Sequence, residues 1–152
     1  MNPSPALIEF LKGWESCRLK PYLDQAGKWT VGWGHLMQLG DDATKAITQA
    51  EADALFQTEL MSLASLLCTL IKPVQQHFDA CLSLTYNIGL GAFQTSTLRK
   101  MLNAGDFMGA AAQFERWNKV TINGVKQTSA GLTKRRKAER DIFISGNYGG
   151  RP

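Results

Sequence analysis

Cysteine is scarce and poorly placed for cross-linking: Cys17, Cys68 and Cys81 are the only three in 152 residues. Their odd number, with no CxxC pair and no Cys/His ligand spacing, argues against a disulfide framework and a zinc site. Small thiols in a reduced compartment are the expectation, and Cys17 is flagged for redox chemistry only because it stands two residues from Glu15. Long apolar runs are also missing. Stretches such as Leu66-Leu67-Cys68-Thr69-Leu70-Ile71 fall far short of the ~20 residues that span a bilayer. The opening Met1-Asn2-Pro3-Ser4-Pro5 lacks the basic start of a signal peptide, and Glu15 interrupts the apolar stretch behind it. The chain is therefore expected to begin its life in the cytoplasm with no stable membrane anchor. Glycine (14) and proline (5) are too few for a fibrous or low-complexity chain, and no internal repeat is visible.

The residues that are present describe a folded domain. Hydrophobic residues make up 44% and charged residues 20%, enough apolar material for a core without metal or cross-links. The length suits one domain or two lobes sharing a core. Seventeen basic residues against thirteen acidic leave a net charge of +4. That suits an anionic partner, whether nucleic acid, a membrane surface or an acidic polymer such as cell wall.

Ser4-Pro5 reads as a helix cap, and Leu7, Ile8, Leu11 and Trp14 then share one helical face, with Gly13 warning of an end near Trp14-Glu15. From Arg18 to His35 the pattern changes to Tyr22, Trp29, Val31 and Trp33 around the turn signal Asp24-Gln25-Ala26-Gly27. A β-hairpin or a three-stranded sheet is expected there. Thr48 and Glu51 form a capping box ahead of Phe56, Leu60, Leu63, Leu67 and Leu70, predicting a helix over 48–72 of about 37 Å, long enough to link two lobes. Further helices are expected over 74–88, 96–104, 106–117 and 130–144, a tight turn at Ile122-Asn123-Gly124-Val125 within a connecting loop, and a frayed tail from Asn147. The fold class is α+β and mostly helical.

Glu15, Asp24 and Thr30 carry the candidate chemistry. Glu15 falls just past a helix C-terminus beside apolar Trp14. If the loop is 25–27, Asp24 faces Lys28 across the turn and Thr30 is its diagonal neighbour on the same face, so a carboxylate and a hydroxyl can hold one water. One protonatable acid plus a carboxylate that positions water is the set that glycoside hydrolysis requires.

The spacing Glu15-x8-Asp24-x5-Thr30 is followed by Val31-Gly32-Trp33-Gly34-His35. Downstream come Ala80-x-Leu82-Ser83-Leu84-x-Tyr86-Asn87-Ile88-Gly89, then Ser96-Thr97-Leu98, and finally Gly131-Leu132-x-x-Arg135-Arg136-x-x-Glu139-Arg140-x-x-Phe143. These blocks, in this order, resemble the phage-type lysozyme or endolysin family (glycoside hydrolase family 24) and cover the chain nearly end to end. The resemblance implies a two-lobed lysozyme fold of one domain. A lobe with the small sheet would occupy about 14–47, a connecting helix about 48–72, and a helical lobe about 73–146 together with the N-terminal helix. It implies hydrolysis of the β-1,4 bond between N-acetylmuramic acid and N-acetylglucosamine in peptidoglycan, for host cell lysis, by a monomer needing no cofactor or metal. Glu15 would be the general acid, Asp24 the stabilising carboxylate and Thr30 the residue that orients water. Trp33, Gly34 and Asn87 would lie on the substrate side, with His35, Arg135 and Arg136 in support; which arginine approaches Glu15 is left open. Inversion, with a carboxylate separation of roughly 6.5–9.5 Å, is expected by analogy.

Because the opening carries no anchoring segment, a holin would be needed for passage from the host cytoplasm to the periplasm and cell wall. Among Trp14, Trp29, Trp33 and Trp117, at most one is expected to touch sugar. His35 is read as structural, paired with an acid, and His77 as solvated. Lys134-Arg135-Arg136-Lys137 is read as a solvated face with one arginine turned inward and not as a nucleic-acid site, since successive helical residues diverge by about 100°. The competing readings are a lytic transglycosylase on the same bond, which needs no water-holding pair, and a non-catalytic wall- or nucleic-acid-binding module.

Overall fold

The computed structural model describes residues 1–24, 27–122 and 124–152. Helix α1 (Pro5–Trp14) begins where its sequence directs: Ser4 accepts from the Leu7 amide at 3.1 Å, and Pro5 occupies the first turn, where no N–H is needed. Leu7, Phe10 and Leu11 are its buried stripe. The helix stops at Trp14. Glu15 turns into extended backbone while its N–H still reaches the Leu11 carbonyl at 2.9 Å.

Three antiparallel strands come next, β1 (Arg18–Leu23), β2 (Trp29–Gly32) and β3 (His35–Leu36), in that order across the sheet. Tyr22 lies opposite Thr30 and Val31 opposite His35. The β1–β2 ladder is irregular between Arg18 and Tyr22, the stretch containing Pro21, which has no N–H to give. Gln25 and Ala26 of the expected turn lie outside the described residues. Its shoulders are tied together: the Asp24 N–H donates to the Lys28 carbonyl at 2.9 Å, and the Lys28 N–H donates to Asp24 Oδ1 at 2.8 Å. Gly32 has φ +64°, and a Cβ there would lie 3.2 Å from that of Ala52. Glycine therefore serves both the turn of the backbone and its approach to the next helix.

That helix, α2 (Gln49–Leu70), opens on the expected capping box, with Thr48 and Glu51 each accepting from the other's backbone N–H. Its 22 residues span about 33 Å, shorter than the expected 37 Å, because Ile71 is already extended two residues ahead of Pro73. Proline disfavours helical backbone at the residue before it, and the chain leaves the helix early.

Helix α3 (Gln75–Ile88) runs through the middle of the molecule, with every residue from Phe78 to Thr85 buried. Against it pack α1, α2, α4 (Leu90–Thr95) and α7 (Ala130–Ser145), while α5 (Thr97–Asn103) packs on α4 and α6 (Phe107–Gln113) on α5 and α7. The expected helices over 96–104 and 130–144 are found within a residue or so of their bounds. The stretch 90–95 is helical although no helix was expected there, and 106–117 divides into α6 and a tighter turn, Phe114–Trp117.

Two expectations are corrected. The segment read as a connecting loop is a hairpin, β4 (Lys119–Ile122) paired with β5 (Val125–Thr128), Ile122 opposite Val125. Both strands are exposed along their length, so no buried face marks them in the sequence. Asn123 of the expected turn lies outside the described residues. The tail is not frayed at Tyr148, whose hydroxyl donates to Asp79 Oδ2 at 2.6 Å. Asp79 is buried and accepts from the Ser4 N–H as well, so one carboxylate ties both chain ends to α3. Burial and this carboxylate push the Tyr148 hydroxyl up to about 12. No single described helix is long and apolar enough to cross a membrane.

Candidate active site

An open cleft of about 590 Å³ draws on four parts of the fold. Glu15 enters from the exit of α1; Trp33, Gly34 and Leu36 from β3 and the turn before it; Glu59, Ser62, Leu63 and Leu66 from α2; Tyr86 and Asn87 from the last turn of α3. The α2 residues recur at i, i+3, i+4 and i+7, one helical face. In the sequence that spacing is masked by the stronger Phe56-to-Leu70 stripe, which marks the core side of the same helix.

Glu15 is gripped from the far end of the chain. Arg135 Nη1 donates to Glu15 Oε1 at 2.7 Å, which decides between Arg135 and Arg136. Arg135 also donates through Nε to Glu139 Oε1 at 3.2 Å, and Ser83 donates to the same oxygen at 2.7 Å. Arg136 Nε lies 3.1 Å from Glu139 Oε2 as an ion pair, while its Nη2 donates to Asn87 Oδ1 at 2.8 Å. The expectation of one inward arginine is thus corrected to two, both buried, because Glu139 is buried between them and neutralises charge from each. Burial pushes the Glu139 carboxyl up and pulls the Arg136 guanidinium down to about 10, and their mutual attraction opposes both shifts. Glu139 stands in the last of the three sequence blocks, but nothing in that block marks it as a site residue.

Asp24 and Thr30 are not among the cleft residues just named; both stand at the sheet whose other end, at Trp33, Gly34 and Leu36, lines the cleft. Asp24 sits at the sheet's turn, its carboxylate held by the Lys28 N–H. Thr30, only 3% exposed, donates its hydroxyl proton to the Lys28 carbonyl at 3.1 Å. The two are therefore joined through Lys28, beside the strand that leads into Trp33 and Gly34.

The cleft wall is cross-braced. Trp33 Nε1 donates to Asp53 Oδ1 at 2.7 Å, holding that carboxyl below its ordinary range, and Lys12 reaches the same oxygen at 3.2 Å. Tyr86 donates its hydroxyl to the Trp33 carbonyl at 3.0 Å, and burial, with Glu15 and Glu59 nearby, pushes the phenol up. His35 meets an acid as expected, Nδ1 lying 2.7 Å from Glu59 Oε1. Trp14 and Trp117 pack against the core, and Trp29 is exposed. His77, read as solvated, is half-buried. Its ring stacks on Phe143 at 4.2 Å and lies 4.9 Å from Phe107. The three cysteines are free. Among the described residues no group of three His, Cys, Asp or Glu side chains is placed to hold a metal ion.

Comparison with known proteins gives these residues a context. Residues 12–139 match the family described as Phage lysozyme. An endolysin of Acyrthosiphon pisum secondary endosymbiont phage 1 is 42% identical over 149 residues, covering 95% of this chain and 99% of that one. The solved endolysin from Escherichia coli O157:H7 phage FAHEc1 superposes with a TM-score of 0.87 at 36% identity, over 97% of this chain and 96% of that one. The muramidase domain of SpmX from Asticaccaulis excentricus gives a TM-score of 0.85 at 29% identity, covering 93% and 97%. With the mostly helical α+β fold and the family match running from α1 into α7, the chain belongs to the phage lysozyme family.

Proposed function

We propose that this phage lysozyme is an endolysin, a glycoside hydrolase that cuts the β-1,4 bond between N-acetylmuramic acid and N-acetylglucosamine in peptidoglycan and so lyses the bacterial host. The observation that carries the reading is the Glu15 carboxylate, opening on the cleft beside Trp33, Gly34 and Asn87 while Arg135 holds it at 2.7 Å. Glu15 gives its proton to the leaving glycosidic oxygen, and Arg135 meets the carboxylate that remains. Asp24 balances the positive charge that grows on the sugar ring and helps activate water. Thr30, its proton committed to the Lys28 carbonyl, keeps oxygen lone pairs to accept from that water and orient it. Trp33, Gly34 and Asn87 receive the saccharide; His35, locked to Glu59, and the two arginines support it. The reaction inverts the anomeric centre by analogy with wide carboxylate pairs.

The same reading places the sheet lobe (about 14–47) and the helical lobe (about 73–146 with α1) on either side of the cleft, joined by the connecting helix (about 48–72). The protein works as a monomer and does not bind nucleic acid. It waits in the host cytoplasm and reaches the wall through a holin.

The test is digestion of purified peptidoglycan by the protein and by its Glu15→Gln variant, with the new sugar ends identified by mass spectrometry. Reducing muramic acid ends from the wild type alone are expected. Anhydro ends would transfer the protein to the lytic transglycosylases, and no new ends from folded protein would leave a binding module. The variant's thermal midpoint is expected to be unchanged or raised. The amide oxygen still accepts from Arg135, and a charge worth about 0.3–1 kcal/mol at the unfavourable end of α1 is removed.

A further inference from the structure

Glu139 has no exposed surface, so no substrate touches it. Its oxygens are nevertheless shared among three side chains: Oε1 accepts from Ser83 at 2.7 Å and from Arg135 Nε at 3.2 Å, and Oε2 pairs with Arg136 Nε at 3.1 Å. Each arginine has its other end on a cleft residue, Arg135 on Glu15 at 2.7 Å and Arg136 on Asn87 at 2.8 Å. Glu139 stands four residues after Arg135 and three after Arg136 along α7, so it lies between the two arginines and within reach of each. A guanidinium is a flat, rigid fork, so the hydrogen bond at Arg135 Nε fixes where its Nη atoms point, while Arg136 is held against Glu139 by charge.

A carboxylate buried in this way is costly. Well-packed apolar residues commonly replace such clusters without loss of stability, so packing alone does not call for it. From this geometry we infer that Glu139 is a positioning residue for glycosidic cleavage, setting Glu15 through Arg135 and Asn87 through Arg136. The inference rests on the muramidase reading above.

The two arms separate in kinetics. Displacing the proton donor acts on the chemical step, where a misplacement of about 1 Å costs up to roughly 100-fold. Displacing Asn87 acts on saccharide binding.

The experiment measures kcat and KM on soluble peptidoglycan fragments for Glu139→Gln, Ser83→Ala and Arg136→Met, with thermal midpoints taken alongside and assays run well below them. Glu139→Gln is expected to lower kcat on the order of 10- to 100-fold. Ser83→Ala, which leaves the charges in place and removes one of the two donors to Glu139 Oε1, is expected to lower it several-fold. Arg136→Met is expected to raise KM more than it lowers kcat. A folded Glu139→Gln protein with wild-type kcat and KM overturns the inference, even if its midpoint has dropped, since that is the mark of a purely structural cluster. Should Glu139→Gln fail to fold, a Ser83→Ala protein with wild-type kcat overturns it instead. An unchanged KM for Arg136→Met removes the Asn87 arm. A wild-type protein that releases no reducing ends overturns the muramidase reading itself, a result distinct from all of these.

Discussion

At position 77 a histidine lies nearly flat on Phe143, the planes 17° apart, with Phe107 near the ring as well. Burial pulls its pKa below 6.5. The fold therefore prefers the neutral ring, and the unfolded chain takes up the proton first as pH falls. The stability this ring contributes is present above about 6.5 and is lost as pH drops from there toward its folded-state value. Thermal unfolding of wild type and His77→Phe between about pH 7.5 and about pH 5.5 should show the wild-type midpoint falling more steeply. Parallel curves would refute the assignment. Nothing next to His77 in sequence announces this, since its ring partners are Phe107 on α6 and Phe143 on α7. His35 was readable for the opposite reason: a polar ring beside a glycine-rich turn in a small sheet is bound to find a partner, and Glu59 supplies it.

Among the elements, β2 is seated close against α2, because Gly32 brings its backbone to Ala52. Gly32→Ala forces a positive φ on a residue with a Cβ, at about 1–2 kcal/mol, and drives that carbon to 3.2 Å from the Cβ of Ala52. Chemical denaturation should show a loss of at least that size; a change within about 0.5 kcal/mol would mean the strand moves away freely. The elements legible from sequence are those whose signals are local. Ser4-Pro5 and the Thr48/Glu51 box mark helix starts, and Tyr22 to Trp33 alternate around a turn. The β4–β5 hairpin escaped because neither of its faces is buried. Helix α4 escaped because six residues between Gly89 and the Ser96 cap of the next helix, with Gly91 among them, give too short a period to read. Within the candidate site, Glu15, Asn87, Trp33 and Gly34, which the resemblance singled out, do line one cleft, whereas the cluster around Glu139 is made of side chains that only the tertiary fold assembles.

Taken whole, the molecule carries a net charge of +4, which suits an acidic polymer such as cell wall. Binding of the Glu15→Gln protein, in which cleavage is expected to be lost, to purified walls should weaken as salt rises from about 0.05 to about 0.5 M, because added ions shorten the reach of surface charge. A sedimentation assay that shows constant binding across that range would assign wall affinity to the cleft contacts alone.

The pairing of Glu15 with Arg135 spans 120 positions of sequence. A chain emerging from the ribosome presents its candidate acid almost at once, yet the cation that grips it arrives only with α7. Contacts this distant in sequence form late and cost loop entropy before they stabilise anything. A nascent or truncated polypeptide ending before α7 thus holds half of an ion pair and, of the buried cluster beneath it, Ser83 without the charged groups. The appearance of muramidase activity in a timed translation reaction would then report completion of the chain, with no earlier domain acting alone.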